Sequence, residues 1–410
     1  MSTLKVNKLR DTAGSADAIT LDPNGGAVLA GVTTVSTVKV GSGVTISSDG
    51  DVFTTGITTS STVIVGSGVT ISESGIEASG IGITCANING TQIGGRRNLI
   101  INGAMEVAQR GTSSTSDGYG TVDRIEKNEG GTDESVTQSQ VDVSSGTTPY
   151  TEGFRKAFRL TNGNQTSGAG AADYTRFDYR IEAQDLAKSG WNYTSSSSFV
   201  SLSFWIKSSV AQNFYFIFNT ADGGQTRSYV METGSLTADT WTKITKTFPG
   251  DSQVAFDNDT GIGCYLYIYG YLGTNYADNS VSVNAWKNVA NPQTPVNTTT
   301  WWTTNDATLE ITGLQLEVGP QATAFEHRSF NEELSLCKRY FHNFSGYTYA
   351  VDHGVNSFSH FPFHTEMRAN PTVSGTFLNA AGNYSSAMRG MYYHNGNSSN
   401  AQNVTFDAEI

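Results

Sequence analysis

Apolar residues alternate with Thr, Ser and other polar residues along almost the whole chain, and a period of two is the mark of β-strands. The clearest case is a repeat. VTTVSTVKVGSGVTISSDG (residues 32–50) returns 25 positions later as ITTSSTVIVGSGVTISESG (residues 57–75). Each copy predicts two short strands broken at a Gly-Ser-Gly turn. So few inward side chains per strand cannot offset the entropy of ordering such a unit alone. Several chains winding around one axis solve this, so the expectation is an elongated parallel homotrimer with a repeat-built β shaft over residues 27–96. Val38, Val40, Val44 and Ile46, with their repeat mates Val63, Val65, Val69 and Ile71, are placed near the axis.

Ahead of the repeat, Leu4, Val6, Leu9, Ile19 and Leu21 surround a polar turn, and DPNGG (residues 22–26) is a strong turn signal, giving a small module over residues 1–26. GGRRN (residues 94–98) marks a hinge. Residues 97–326 then read as many short strands separated by Gly, Asn, Ser and Thr loops, the spacing of an antiparallel sandwich. In FVSLSFWIK (residues 199–207), Val200, Leu202, Phe204 and Ile206 face one way and Ser201, Ser203, Trp205 and Lys207 the other. CYLYIYGY (residues 264–271) puts Tyr265, Tyr267, Tyr269 and Tyr271 on one face. One helix is expected, in a connecting segment over residues 327–341: Ser329 and Glu332 have capping-box spacing, and Leu334, Cys337 and Phe341 share a face. A β-rich segment, residues 342–410, follows. The fold class is all-β.

Composition narrows the partners. Only 15% of the 410 residues are charged, and 25 basic against 37 acidic residues leave a net charge of −12, which opposes a nucleic-acid backbone. Nowhere do roughly 18 consecutive apolar residues suggest a membrane span, and the N-terminus lacks the apolar run of a secretion signal. Cys85, Cys264 and Cys337 are too few and too scattered for a disulfide framework. Assembly in a reducing cytoplasm fits this usage.

Several strings carry a family resemblance. RNLIINGAMEVAQRG (residues 97–111), YGTVDR (119–124), DYTRFDYRIEAQDL (173–186), LEITGLQLEVGPQATAFEHRSFNEELSLCKRYF (309–341) and FPFHTEMRANPTV (361–373) resemble phage and prophage tail-fibre proteins. MSTLKVNKLRDTAGSADAITLDPNGG (residues 1–26) resembles the start of structural proteins of marine cyanophages. The resemblance departs at Ile125, where related strings tend to carry Trp. It implies a fibre in the virion tail: residues 1–26 attach to tail adaptor or nozzle proteins, a trimeric shaft follows, and distal β domains meet the host. It further implies that residues 97–326 are similar to carbohydrate-binding jelly rolls, with host surface polysaccharide as the partner.

Sugar recognition calls for aromatic faces beside polar groups, since pyranose rings carry C–H faces and hydroxyl rims. Candidates are Trp205, Tyr265, Tyr267, Tyr269, Tyr271, Trp301 and Trp302, with at most one of the adjacent tryptophans buried. The alternative is that the tyrosines pack between sheets or protomers. Two rival functions are an architectural appendage without host binding and a glycan-cleaving depolymerase, the latter prompted by Asp173, Asp178, Glu182 and Asp185. DNDTG (residues 257–261) starts like a calcium loop, but Ile268 stands where Glu would be required, so a turn is expected. Pro362 between His360 and His364 breaks a shared helical face, which argues against zinc. No cofactor and no enzymatic activity are expected.

Overall fold

A computed structural model gives the structure, describing residues 8–10, 17–21, 27–29, 38–40, 44–46, 52–54, 96–223, 225–351, 358–378, 383–394 and 399–410. It divides into two compact units, residues 1–83 and 84–410. In the first, β1 (Lys8–Arg10), β2 (Asp17–Leu21) and β3 (Ala27–Leu29) form an antiparallel sheet, and the DPNGG segment joins β2 to β3. β4 (Val38–Val40), β5 (Val44–Ile46) and β6 (Val52–Thr54) form another. The Gly-Ser-Gly of the first repeat copy separates β4 from β5, with Val38 paired to Ile46 and Val40 to Val44. Among the residues proposed for attachment, Leu9 pairs with Ile19. Leu4, Val6 and the second repeat copy, with Val63, Val65, Val69 and Ile71, lie outside the described residues.

The second unit contains a jelly-roll-like sandwich of twelve strands: β7 (Ser113–Ser114), β8 (Ile125–Gly130), β9 (Thr137–Asp142), β10 (Lys156–Thr161), β11 (Tyr174–Glu182), β12 (Phe199–Ser208), β13 (Asn213–Thr220), β14 (Arg227–Ser235), β15 (Thr242–Pro249), β16 (Ile262–Leu272), β17 (Ala285–Asn288) and β18 (Thr308–Val318). They form two six-stranded antiparallel sheets, β15-β12-β18-β10-β9-β7 and β17-β14-β13-β16-β11-β8. The alternation expected of β12 is present, with Val200, Leu202, Phe204 and Ile206 all in the core. Edge-on aromatic pairs join the two sheets: Phe204 of β12 meets Phe216 of β13 at 5.2 Å, and Phe158 of β10 meets Phe177 of β11 at 5.7 Å. Such pairs add about 0.5–1.5 kcal/mol beyond the area they bury.

The helical content exceeds the expected single helix. Three one-turn segments, α1 (Thr148–Thr151), α2 (Ala183–Ala187) and α3 (Thr300–Thr303), precede α4 (Phe330–Cys337). Ser329 caps α4, accepting a hydrogen bond from the Glu332 amide at 3.3 Å. The helix stops before Phe341, which instead opens β19 (Phe341–Val351), so Phe341 does not share a helical face with Leu334 and Cys337. β20 (Phe358–Pro362), β21 (Thr372–Leu378), β22 (Asn383–Ala387), β23 (Gly390–His394) and β24 (Ser399–Asp407) complete two three-stranded sheets, β19-β24-β21 and β20-β23-β22.

Two buried arginines tie these parts together. Arg328, ahead of α4, donates to the carbonyls of Asn98 and Ile100 and pairs with Glu326 and Glu333, both at 2.9 Å. Asn98 in turn bonds to Leu314 and Leu316 of β18. Arg124 lies 3.5 Å above the Tyr340 ring, pairs with Glu409, and donates to the Arg180 carbonyl at 2.8 Å. Arg328 thus ties the chain entering the sandwich to α4, and Arg124 ties the residue before β19 to the final residues.

His342, at the start of β19, is 2% exposed and stacks on Phe344 and Phe363 at 5.5 and 5.0 Å. Burial, with Lys338 and His364 nearby, lowers its pKa from 6.5 to about 4. The unfolded chain therefore takes up this proton before the folded chain does, and the histidine's contribution to stability is lost as pH falls from 6.5 towards 4. Buried Asp123, raised by burial to about 6, acts in the opposite sense over an overlapping range, so a variant isolates the histidine. Melting temperatures measured between pH 7 and pH 4.5 should fall by several degrees less in His342→Phe than in the wild type; parallel falls would remove His342 as the cause.

Candidate functional site

The site follows from the alternation of β16. Its inner residues Cys264, Leu266 and Ile268 enter the sandwich core, so Tyr265, Tyr267 and Tyr269 must face outward. Neighbouring strands contribute to the same outer face. Register pairs Tyr265 with Arg180, Tyr267 with Asp178 and Tyr269 with Arg176 on β11. On the other side, Ile217 and Asn219 of β13 stand opposite Tyr267 and Tyr265. Beyond β11, Glu126 and Asn128 of β8 pair with Asp178 and Arg176.

These side chains form an ordered polar strip. Tyr265 and Tyr267 lean together with ring centroids 5.2 Å apart, the Arg176 guanidinium lies 4.2 Å over Tyr267, and Arg180 lies 5.6 Å from Tyr265. Arg176 Nε donates to Asp178 Oδ1 at 2.7 Å, Asn128 donates to the other carboxylate oxygen at 2.9 Å, and Arg180 pairs with Glu126. Asp178 is 1% exposed, and burial raises its pKa while Arg176 opposes the rise. Burial, reinforced by Asp178, holds the Tyr267 phenol well above its ordinary pKa. It remains a neutral hydroxyl able to donate and accept. The buried Asn219 side-chain oxygen has no hydrogen-bond partner.

One end of the strip is covered by the segment between β16 and β17. Ala277 and Val281 pack with Ile217, Val230, Tyr269 and Leu272, and the Tyr269 hydroxyl donates to Gln293 at 2.6 Å. Where this cover begins, Tyr174, Arg176, Leu272, Tyr276 and Gln293 line an open cavity of about 200 Å³. Tyr174 and Tyr276 meet edge-on at 6.2 Å and form one corner.

The seven aromatic candidates therefore separate. Tyr265 and Tyr267 are half-buried on the strip. Tyr269 shares their face but is fully buried beneath Ala277 and Val281. Tyr271 is not on that face, because the pairing slips between Thr175 and Arg176 and leaves Gly270 without a register partner. Such a bulge reverses the alternation, and Tyr271 packs on Trp302 at 5.0 Å instead. Trp205 points away from the sandwich core as expected but is 7% exposed; it packs with Phe154 and donates to Glu152 at 3.1 Å. Trp301 and Trp302 are both fully buried, against the expectation of at most one. They occupy α3, where successive side chains diverge by about 100°. Trp301 enters the core, and Trp302 bonds to the Gly168 carbonyl at 2.8 Å.

Arg176, Arg180, Tyr174, Tyr276 and Gln293 escaped the sequence reading. The first three belong to the DYTRFDYR stretch, whose period two puts Tyr174, Arg176, Asp178 and Arg180 on one face. Tyr276 and Gln293 lie in irregular chain with no such signal. The four clustered carboxylates are engaged separately: Asp173 accepts from the Gly170 amide, Asp178 holds Arg176, Glu182 is bound by Arg339 and Tyr340, and Asp185 lines another cavity with Arg96 and Lys188. Asp259 of the DNDTG stretch accepts from the Gly261 amide at 2.8 Å, closing a turn. Among the described residues, no three His, Cys, Asp or Glu side chains are grouped to hold a metal ion.

No protein-family model matches the chain, and no curated protein matches it. Three solved structures show distant likeness. The enzymatically active domain of tailspike protein 4 of bacteriophage CBA120 is 9% identical over 54% of this chain, which spans 21% of that structure, with a TM-score of 0.28. A family 11 carbohydrate-binding module of Clostridium thermocellum, in complex with a mixed-linked tetrasaccharide, is 14% identical over 53% of this chain and 98% of its own, with a TM-score of 0.24. A Bacteroides thetaiotaomicron protein described as sugar-binding is 13% identical over 54% of this chain and 99% of its own, with a TM-score of 0.29. The two-sheet architecture stands on strand pairing, and nothing about the ligand follows from likenesses of this size.

Burial separates core from strip in a measurable way. Trp301→Ala or Trp302→Ala should cost about 3–5 kcal/mol of stability, whereas Tyr265→Ala should cost under about 1.5 kcal/mol, as read by chemical denaturation. Equal losses at all three positions would place Tyr265 in the core as well.

Proposed function

We propose that this chain is a tail fibre of a tailed bacteriophage that adsorbs to host surface glycan through the outer strip of the sandwich, by binding and not by cleavage. In this reading residues 1–26 attach to the tail, the repeat segment joins three parallel chains, and the second unit meets the host. The fibre assignment draws support from the family strings and the repeat. The observation that carries the glycan assignment is the strip itself: the guanidinium groups of Arg176 and Arg180, held by Asp178, Asn128 and Glu126, lie against the rings of Tyr267 and Tyr265. Sugar hydroxyls both donate and accept, so they suit phenols, which can do either, beside guanidinium groups, which donate.

Such a shallow site need not bind tightly. Millimolar affinity corresponds to about 4 kcal/mol, and three copies on one trimer raise the effective affinity through avidity. Hydrolysis of a glycosidic bond calls for two carboxyl groups free to act across it, whereas on the strip Asp178 is committed to Arg176 and Glu126 to Arg180.

Purified full-length protein should bind polysaccharide extracted from the host and slow phage adsorption, without releasing reducing ends. The Tyr265→Ala/Tyr267→Ala variant should lose both effects by about tenfold or more while still melting cooperatively. Undiminished competition by the double variant would remove the strip from adsorption, and release of reducing ends would make the protein a depolymerase.

A further inference from the structure

The cavity where the strip meets its cover has a more specific character than the strip. Its lining includes one charged residue, Arg176, together with Tyr174, Tyr276, Gln293 and Leu272. Two of the guanidinium's nitrogens, Nε and Nη2, are already engaged by the buried Asp178 carboxylate, at 2.7 and 3.3 Å. Arg176 is therefore charge-compensated, and that edge of its fork is closed to a second carboxylate. The remaining polar lining is neutral: two phenols and the Gln293 amide. With a net charge of −12 on the chain, the surroundings also disfavour an anionic ligand.

Size and position limit the ligand further. The cavity volume of about 200 Å³ has room for a sugar ring. Beyond it the outer face is sealed, because Ala277 and Val281 cover Tyr269 and Val230 and Gln293 holds the Tyr269 hydroxyl. A chain lying along Tyr265 and Tyr267 must stop there. We infer that this cavity binds the uncharged terminal pyranose of a glycan, with Tyr174 and Tyr276 forming an aromatic corner and Arg176 and Gln293 offering hydrogen bonds to its hydroxyls. This inference rests on the glycan-binding reading above and adds chain-end and charge selectivity to it.

The test uses the full-length protein on an array of oligosaccharides ending in neutral hexoses or in uronic acids, with methyl glucoside, galactoside and mannoside as competitors. Wild-type protein should select chains with neutral hexose ends, at least one methyl glycoside should compete, and raising salt from about 50 to about 500 mM should change binding less than about twofold. Tyr276→Ala removes a wall and Tyr276→Trp fills the space. Each should reduce binding by about tenfold or more, and the Trp variant should keep the wild-type melting temperature. If the wild type binds glycans but both variants match it, or if uronate-ended chains are preferred with a steep salt dependence, the cavity inference fails while glycan binding stands. If the wild type binds no glycan, both readings fail together.

Discussion

A strand that buries one face of its side chains must turn the other face away, and the second unit is organised around that constraint. Once Cys264, Leu266 and Ile268 enter the core, Tyr265, Tyr267 and Tyr269 have no choice of direction. Phe177, Tyr179 and Ile181 impose the same condition on β11 and leave Arg176, Asp178 and Arg180 beside them. The outer strip is thus the reverse side of the hydrophobic core. Altering the inner register of either strand would move every side chain of the strip to the wrong face. At Gly270 the register slips once, which takes Tyr271 off the strip and sets Leu272 beside Tyr174 in its wall.

Electrostatics then fixes what alternation places. A mobile arginine over a tyrosine would present many conformations, and ordering them on binding would cost entropy. Here the buried Asp178 carboxylate fixes Arg176, and Asn128 fixes the carboxylate. The same device recurs away from the strip, where Arg124 holds Glu409 against Tyr340 and Arg328 joins Asn98 to Glu333. Three sequence strings, RNLIING, TVDR and EHRSFNEEL, supply residues of these networks. Their physical content is the satisfaction of buried charge, which is costly to leave unpaired.

Much of this was legible in the sequence because strand alternation is a local property. The inward face of β12, the alternation that sets Tyr265, Tyr267 and Tyr269 of β16 on one face, the pairing of β4 with β5, and the Ser329 cap all follow from residues within a few positions of one another. Departures came where distant chain decides. Trp205 points outward, as its alternation requires, but the α1 region closes over it through Glu152 and Phe154. Tyr269 is covered by residues of the following loop, and Trp301 and Trp302 are buried by packing that a Thr-rich segment does not announce. The cavity was invisible for the same reason: Tyr276 and Gln293 reach it from irregular chain with no periodicity. Aromatic residues in such a sequence mark places of high packing value, and only the tertiary structure separates those that serve the core from those left for a ligand.

The most direct measurement is a crystal structure of the protein soaked with a neutral host oligosaccharide. The sugar should lie against Tyr265, Tyr267 and Arg176, with its terminal ring in the cavity bounded by Tyr174 and Tyr276. An ordered sugar elsewhere, for example on the outer face of the sheet that contains β12, with this strip left bare, would contradict the assignment of the binding face.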